Sequence, residues 1–192
     1  MKTNKKNRII FVTGNRTKFN IASNILNNYG IELIQKETKT PEIQSRNGTE
    51  VANFSAKYAA LKLKDAVIKT DVSYEIPALN NFPGPFVKFV NEWLTAKDIL
   101  ALMKNKRDRR LNIAEYLVYV DKNGNAKTFK TVSKCTISSN IKNDSIGSTF
   151  DKIVIREEHE LPQNMLPQQE LEKMFAKQVG VWKKLGKFLS KN

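Results

Sequence analysis

The alternation of strand-like and helix-like patterns at the start of the chain constrains the fold most. Arg8 to Thr13 is an apolar run that predicts a buried strand ending at Gly14-Asn15. The residues up to Gly30 predict a helix, with Gly30 as its C-cap, and Ile31 to Gln35 predicts a second strand. The helix prediction rests on apolar residues at helical spacing, namely Phe19, Ala22, Ile25, Leu26 and Tyr29. Strand, turn, helix and strand in this order are typical of an α/β fold.

The second half of the chain carries the clearest β pattern. Ile113 to Val120 and Ala126 to Ile137 are strand-like, and Asn123-Gly124 between them is a hairpin turn signature. With the helical patterns elsewhere, this pair predicts an α+β or mixed α/β protein that contains a long β-hairpin.

Further elements follow from caps and apolar stripes. Thr49 is predicted to cap a second helix, and a short strand from Ala66 to Thr70 should lead directly into Asp71. Thr95 and Asp98 have the spacing of a capping box. The apolar residues between 171 and 189 predict one long amphipathic helix.

Length and composition limit the organisation and the compartment. A chain of 192 residues suits one domain or two closely packed lobes, preceded by a short, basic and flexible segment from Met1 to Asn7. The sequence shows neither a secretory pattern nor a run long enough to span a bilayer. The single cysteine, Cys135, lies in a strand-like run and is expected to be a buried thiol. These features predict a cytoplasmic protein without membrane contact.

The net charge of +14 indicates anionic partners. Nucleotide phosphates and nucleic acid are both attracted by a positive charge. The lysines, however, are spread along the whole chain rather than gathered in one block. The densest basic cluster is Lys104 to Arg110, and no recognised nucleic-acid-binding motif accompanies it. A nucleic-acid-binding protein is therefore the weakest of three functional hypotheses.

A polar segment at the first strand–helix junction can bind phosphate. Gly14 permits a tight turn, and the free amides at the start of a helix attract anions. Thr13 and Asn15 offer hydrogen bonds, and Lys18 adds a positive charge one turn into the helix. The segment is not a Walker A loop, which needs more glycines and a Lys-Ser/Thr pair.

Carboxylates at predicted loop and strand ends form a second constellation. Glu42 follows Pro41, Glu50 lies in the second helix, and Asp71 follows a predicted strand. Mg²⁺ prefers one or two such oxygens together with water and substrate phosphates. A magnesium ion held there can polarise a phosphoryl group and orient a water molecule.

These motifs occur in a recognisable order. Thr-Gly-Asn-x-x-Lys at Thr13 to Lys18, Pro41-Glu42, Asp71, and the segment from Phe82-Pro83-Gly84-Pro85 to Phe89 resemble the inosine triphosphate pyrophosphatase family. The likeness extends to Phe150-Asp151 and, weakly, to Glu172-Lys173.

The resemblance implies an elongated two-lobed α/β fold with a central mixed sheet, a nucleotide cleft between the lobes and a homodimer. It implies Mg²⁺-dependent hydrolysis of nucleoside triphosphates, such as ITP, dITP and XTP, to a monophosphate and pyrophosphate. By position, the family roles fall on three groups of residues. Thr13, Asn15 and Lys18 would bind the triphosphate; Glu42 and Asp71 would hold the metal or activate water; Phe150, Asp151, Lys173 and Gln178 would lie near the sugar and base.

The sequence also departs from the family pattern. Thr70 stands where the family has a second acid beside Asp71. Phe54-Ser55-Ala56 replaces a Glu-Asn-Ala pattern in the second helix, and Glu50, one turn earlier, is a candidate to compensate for that lost acid if it faces the cleft. Ser148 replaces a stacking aromatic ring, and Lys177-Gln178-Val179 replaces the Ser-His-Arg motif that recognises the base. These departures leave a second hypothesis open, a nucleotide-binding module without turnover on the same fold.

Overall fold

The computed structural model describes residues 7–171 and 180–191. Its strands are β1 (Asn7–Val12), β2 (Ile31–Lys36), β3 (Val67–Ile76), β4 (Phe82–Gly84), β5 (Arg110–Val120), β6 (Ala126–Ile137) and β7 (Val154–Arg156). Its labelled helices are α1 (Arg16–Asn27), α2 (Gly48–Leu63), α3 (Val87–Trp93), α4 (Ala96–Leu102) and α5 (Gly180–Leu189). The strands form one mixed sheet in the order β2-β1-β3-β5-β6-β7, and β4 joins it through β3. The predicted mixed α/β class is confirmed.

The opening β1-α1-β2 unit is confirmed with small shifts of its ends. β1 and β2 run parallel, and the Asn15 side chain caps α1 by accepting from the Lys18 amide at 2.9 Å. The C-cap of α1 is Asn28 rather than Gly30. Gly30 has φ +71° and turns the chain into β2, a conformation in which glycine carries no steric cost.

Strand β3 is the branch point of the sheet. Along one edge it pairs antiparallel with β5 from Val67 to Glu75. Along the other edge it pairs first with β1, through Val67 and Ile68, and then with β4, from Tyr74 to Ile76. Asp71 lies in the gap between these two partners. The predicted strand end before Asp71 is therefore wrong, because pairing with β5 continues through it.

The predicted hairpin is confirmed as β5-β6. It pairs continuously from Arg110↔Thr136 to Val120↔Ala126. The carboxylate of Asp121 closes the turn by accepting from the amides of Asn123 and Asn125 at 2.9 and 2.8 Å. This turn fixes the register and hence which side chains of β5 face each side of the sheet.

Capping side chains set the helix starts, in one case at another residue than predicted. Thr95 and Asp98 form the predicted capping box of α4. Helix α2, however, is capped by Asn47, whose side chain accepts from the Thr49 amide at 3.0 Å. Thr49 therefore lies inside the first turn, because the loop supplies a better cap two residues earlier.

The core consists of three apolar clusters around the sheet. One joins α1 and α5 to β1, β2 and the middle of the sheet; a second lies under α2; the third lies under α3 and α4. Helix α5 confirms the end of the predicted C-terminal helix, while residues 172–179 lie outside the described residues. In the part of the chain that the structure describes, no helix is both long and apolar enough to cross a membrane. The division into two lobes stays a prediction.

Candidate active site

A cavity of about 420 Å³ lies on the α1/α5 side of the sheet. This volume falls within the range of small-molecule sites, about 300–1,000 Å³. Alternating residues of two neighbouring strands form its floor, since such residues share one face of a sheet. They are Thr70, Val72 and Tyr74 of β3 with Ile113 and Glu115 of β5.

Two helices and the segment after the hairpin enclose the cavity. Asn15, Thr17, Lys18 and Ile21 line it from the start of α1, and Val181 and Trp182 line it from α5. Arg156 of β7 and Gln163 also line the cavity. The cavity thus joins the predicted phosphate-binding segment to the strand that carries Asp71, which also lines it.

The α1 end of the cavity suits an anion. The side-chain Oδ1 atom of Asn15 caps the helix, so the side-chain nitrogen Nδ2 is the atom of this residue left to donate to a ligand. Lys18 is exposed and near enough to lower the pKa of both Asp71 and Glu115. Thr13 supports the turn instead of lining the cavity: its hydroxyl accepts from the Asn15 amide at 3.1 Å.

Asp71 is the acid of a compact charged group. Burial raises the pKa of its carboxyl group, and the Glu42 carboxylate raises it further, while the Val72 amide, Lys69 and Lys18 oppose the shift. Lys69 is a half-buried amine that donates to the Thr40 hydroxyl at 2.8 Å. Burial lowers the pKa of Lys69, and the charges of Asp71 and Glu42 oppose that change. The structure therefore brings Glu42, Lys69 and Asp71 together.

The pair Glu42 and Asp71 fits a magnesium ion held mainly by water and phosphate. Their negative charges disfavour one another, and a cation between them relieves that repulsion. No group of three or more acidic, histidine or cysteine side chains is arranged for a metal within residues 7–171 and 180–191. Glu50 does not supply a third carboxylate. Its oxygens accept from Ser45 at 2.8 Å and from Asn47 at 3.2 Å.

Two charged residues of the cavity were missed in the sequence. Glu115 is half-buried on β5, and Arg156 is only 8% exposed on β7. No motif marks them, because each stands in an ordinary strand. One sequence signal could have identified them. A charged residue within a strand-like run, at a position where alternation predicts an inward-facing side chain, indicates a functional site.

The predicted base-binding residues lie in different places. Phe150 is buried and packs edge-to-face on Tyr74, a residue of the cavity floor, with ring centroids 5.0 Å apart. Asp151 accepts from the amide and hydroxyl of Ser148, both at 2.8 Å, and neither Phe150 nor Asp151 lines the cavity. Lys173 and Gln178 lie outside the described residues.

Part of the basic cluster proposed for nucleic acid is used within the fold. The guanidinium group of Arg109 donates to the carbonyl oxygens of Met103, Ile137 and Ser138. Arg110 forms an ion pair with Asp108 at 2.6 Å. These contacts tie the α4–β5 connection to the end of β6 and reduce the charge that the cluster offers to a partner.

Comparison with solved structures agrees with this fold. The HAM1 protein from Coxiella burnetii superposes with a TM-score of 0.79 over 97% of this chain and 100% of that one, at 20% identity. The Staphylococcus aureus Ham1 protein gives a TM-score of 0.78 over 96% and 98%. At these identities the likeness establishes the fold alone.

Sequence comparison adds the family. A protein from Methanosarcina mazei, named dITP/XTP pyrophosphatase, is 42% identical over 53% of this chain and 55% of its own length. The chain therefore aligns with only about half of that relative. A protein of the same name from Methanopyrus kandleri is 32% identical over 78% of this chain and 79% of its own. The family model described as Ham1 family matches residues 9–177. The resemblance drawn from the motifs is confirmed, and the chain belongs to the Ham1 family.

Proposed function

We propose that this protein hydrolyses nucleoside triphosphates to a nucleoside monophosphate and pyrophosphate, with deaminated purine nucleotides such as ITP, dITP and XTP as substrates. One observation carries the proposal. A cavity of suitable size joins the start of α1 and Lys18 to Asp71, while Glu42 and Lys69 lie beside Asp71 outside the cavity lining. The names of the Methanosarcina mazei and Methanopyrus kandleri relatives support the choice of nucleotide.

The residues have complementary parts in this reaction. Asn15, Lys18 and the first amides of α1 bind the triphosphate and neutralise charge that develops on it. A water oxygen forms a bond to the α-phosphorus, and the bond from that phosphorus to the bridging oxygen breaks. Pyrophosphate leaves with the bridging oxygen. Asp71 is placed to accept the proton of the water, since burial makes it a stronger base than an ordinary aspartate.

Magnesium is the cofactor that fits the acidic pair. Glu42 and Asp71 would hold it, and when bound it would neutralise the phosphate oxygens and the two carboxylates. Lys69, beside the same acids, would complement this charge. Thr70 lines the cavity at the position where the resemblance implies a second acid. We therefore expect a magnesium site with two carboxylates, those of Glu42 and Asp71.

The test measures pyrophosphate release with and without Mg²⁺ from ITP, dITP, XTP and the standard nucleoside triphosphates. We expect release that requires Mg²⁺ and favours the deaminated purines. Release that favours another base would support the proposed reaction and contradict the proposed substrates. Tight binding of these nucleotides without any pyrophosphate release would contradict the enzyme hypothesis and favour the hypothesis of a nucleotide-binding module.

Two further statements complete the proposal. A homodimer is expected from the family resemblance, and the protein is expected to act in the cytoplasm, where its nucleotide substrates are found. Light scattering coupled to size-exclusion chromatography tests the first, and microscopy of the tagged protein in its own cells tests the second.

A further inference from the structure

The fold gathers lysines that are distant in the sequence onto one surface. Strand β6 carries the exposed residues Lys127 and Lys130, and helix α5 carries the exposed residues Lys183, Lys184 and Lys187. The strand and the helix contact each other, and neither contains an acidic residue. We call these five side chains the lysine face.

Direct contacts hold three of these lysines in place. The Lys184 ammonium group donates to the carbonyl oxygen of Lys130 at 3.2 Å, which joins α5 to β6. The Lys127 ammonium group lies over the ring of Phe188, 5.7 Å from its centroid, and that of Lys130 lies over the ring of Tyr116 at 5.2 Å. Because these contacts restrict long side chains, less conformational entropy is lost when the lysines bind a ligand.

Acidic side chains do not neutralise the lysine face. Within residues 7–171 and 180–191, none of its lysines forms an ion pair with a carboxylate. Helix α1, which shares an apolar cluster with α5, contains no acidic residue either. Acids border the surface at the far end of β6, where the Glu157 amide donates to the carbonyl oxygen of Lys134 at 3.2 Å. The lysine face therefore attracts ligands that carry several negative charges in a row.

Protection of a strand edge explains only part of this surface. Strand β7 pairs with β6 from Cys135 to Ile137, so residues 126–134 have no second strand partner in the part of the chain that the structure describes. Lysines on such an edge can prevent pairing with another chain. That role fits Lys127 and Lys130, but it does not extend to the three lysines of α5, because a helix has no edge to protect.

The shape of the surface favours a flexible polyanion. Side chains alternate between the two faces of a strand, so Lys127 and Lys130 flank the β6 edge from opposite sides of the sheet. A single strand of nucleic acid can follow such an edge, whereas a duplex is stiff over about 150 base pairs. An anionic membrane fits less well, because the apolar residues Trp182 and Leu185 of α5 are buried in the core and cannot insert into lipid.

We propose that the lysine face binds the phosphodiester backbone of single-stranded nucleic acid, independently of base sequence. Contacts between ammonium groups and phosphates release the counterions condensed on the strand, and this release supplies the affinity in non-specific binding. The inference goes beyond the proposed function, since none of the five lysines lines the cavity.

The test is fluorescence anisotropy of a labelled DNA single strand of mixed sequence, titrated with the full chain at several salt concentrations. We expect the dissociation constant to rise steeply with salt. The face variant combines Lys127→Gln, Lys183→Gln and Lys187→Gln. It should bind at least about tenfold more weakly than the wild type and show a shallower salt dependence, because up to three phosphate contacts are lost.

A control variant removes the same charge from exposed lysines elsewhere, by Lys88→Gln, Lys104→Gln and Lys106→Gln. Two of these lysines belong to the basic cluster from Lys104 to Arg110. The control should bind within about threefold of the wild type, because charges far from the contact are screened by salt.

Four results would overturn the inference. They are no binding at low salt, equal losses in the face and control variants, tighter binding of the duplex of the same sequence, and capture on phosphatidylserine vesicles without binding to DNA. Thermal melting confirms that each variant is folded. Pyrophosphate release from ITP should be the same in both variants as in the wild type. Strand binding through the lysine face by a protein that releases no pyrophosphate would support this inference while the proposed function fails.

Discussion

The indole ring of Trp182 packs edge-to-face on Phe11, with centroids 5.0 Å apart and ring planes at 68°. Phe11 is a fully buried residue of β1, whereas Trp182 also lines the cavity. One side chain thus belongs both to the core beneath α1 and α5 and to the wall of the site. A ligand in the cavity would therefore lie against a side chain that also packs in this part of the core.

Trp182 should therefore report ligand binding by its fluorescence. The other tryptophan, Trp93, is 75% exposed, while Trp182 is 6% exposed, so their emission should differ in wavelength. In Trp93→Phe we expect ITP with Ca²⁺ in place of Mg²⁺ to change the intensity of the remaining buried tryptophan. In the matched Trp182→Phe variant the same titration should leave the emission of Trp93 constant. An unchanged signal in Trp93→Phe would contradict binding in this cavity.

Removal of Lys18 tests the phosphate end of the cavity. Lys18→Ala should lower kcat/KM about 100-fold, because one charged contact to the triphosphate is lost from a partly enclosed site. Arg16→Ala removes an equal charge from the same first turn, but Arg16 does not line the cavity, so this variant should stay within about threefold of the wild type. Steady-state pyrophosphate release measures both. Equal losses would show that only the general positive field matters.

Asp71→Asn should abolish turnover while the protein stays folded. The neutral amide cannot accept the proton, and it binds a metal ion weakly, so we expect a loss of at least about 1,000-fold in kcat. The free energy of unfolding at pH 7 should stay within about 1 kcal/mol of the wild type, because relief of carboxylate burial offsets the lost charge beside Lys69. Urea unfolding checks stability, and activity close to that of the wild type would exclude Asp71 as the base.

The direction of the Asp71 pKa shift also predicts a pH dependence. The folded pKa lies above 3.8, so the native protein retains this proton to a higher pH than the unfolded chain does. The charged form therefore costs stability, and this cost appears as the pH rises from the unfolded pKa through the folded pKa. In the absence of Mg²⁺, Asp71→Asn should therefore gain stability relative to the wild type as the pH rises above 3.8. Urea unfolding of both proteins between pH 3 and 7 measures this difference, and a difference that falls with rising pH would contradict the shift.

Close packing of α5 on Tyr29, which follows α1, predicts a sensitive glycine. A Cβ atom at Gly186 would lie 2.5 Å from Cδ2 of Tyr29, whereas one at Gly180 would lie 3.4 Å from the nearest atom, Cγ2 of Thr131. Gly186→Ala should lower the free energy of unfolding by about 1–3 kcal/mol through overpacking. Gly180→Ala should be neutral or slightly stabilising, since alanine favours the helix. Chemical denaturation distinguishes them, and equal stability would contradict this helix contact.

The thiol of Cys135 should be inert in the folded protein. Burial raises its pKa to about 11, and only the thiolate reacts rapidly. We expect Ellman's reagent at pH 8 to label native protein much more slowly than protein in guanidinium chloride. Rapid labelling of the native protein would show that β6 opens readily near Cys135.

The sequence predicted elements whose causes are local. The Asn123-Gly124 turn, the Thr95–Asp98 capping box and the α1 stripe each depend on neighbouring residues, and all are confirmed. The α2 cap was misplaced because Asn47 and Thr49 are both good capping residues, and the backbone of the preceding loop decides between them.

Features that depend on contacts between distant residues could not be predicted from the sequence. A strand pattern does not reveal which partners pair with β3, so the gap beside Asp71 between β1 and β4 could not be foreseen. The sequence likewise does not reveal that Lys69 lies near Glu42, because the two residues are distant in the chain. Arg156 and Glu115 line one cavity because of the order of strands β5, β6 and β7, which no short motif encodes.

The cavity is lined by side chains from distant parts of the chain. Lys18 and Asp71 come from α1 and β3, while Glu115 and Arg156 come from β5 and β7. The cavity therefore exists only when the sheet and both helices are assembled, and no single segment of the chain carries it.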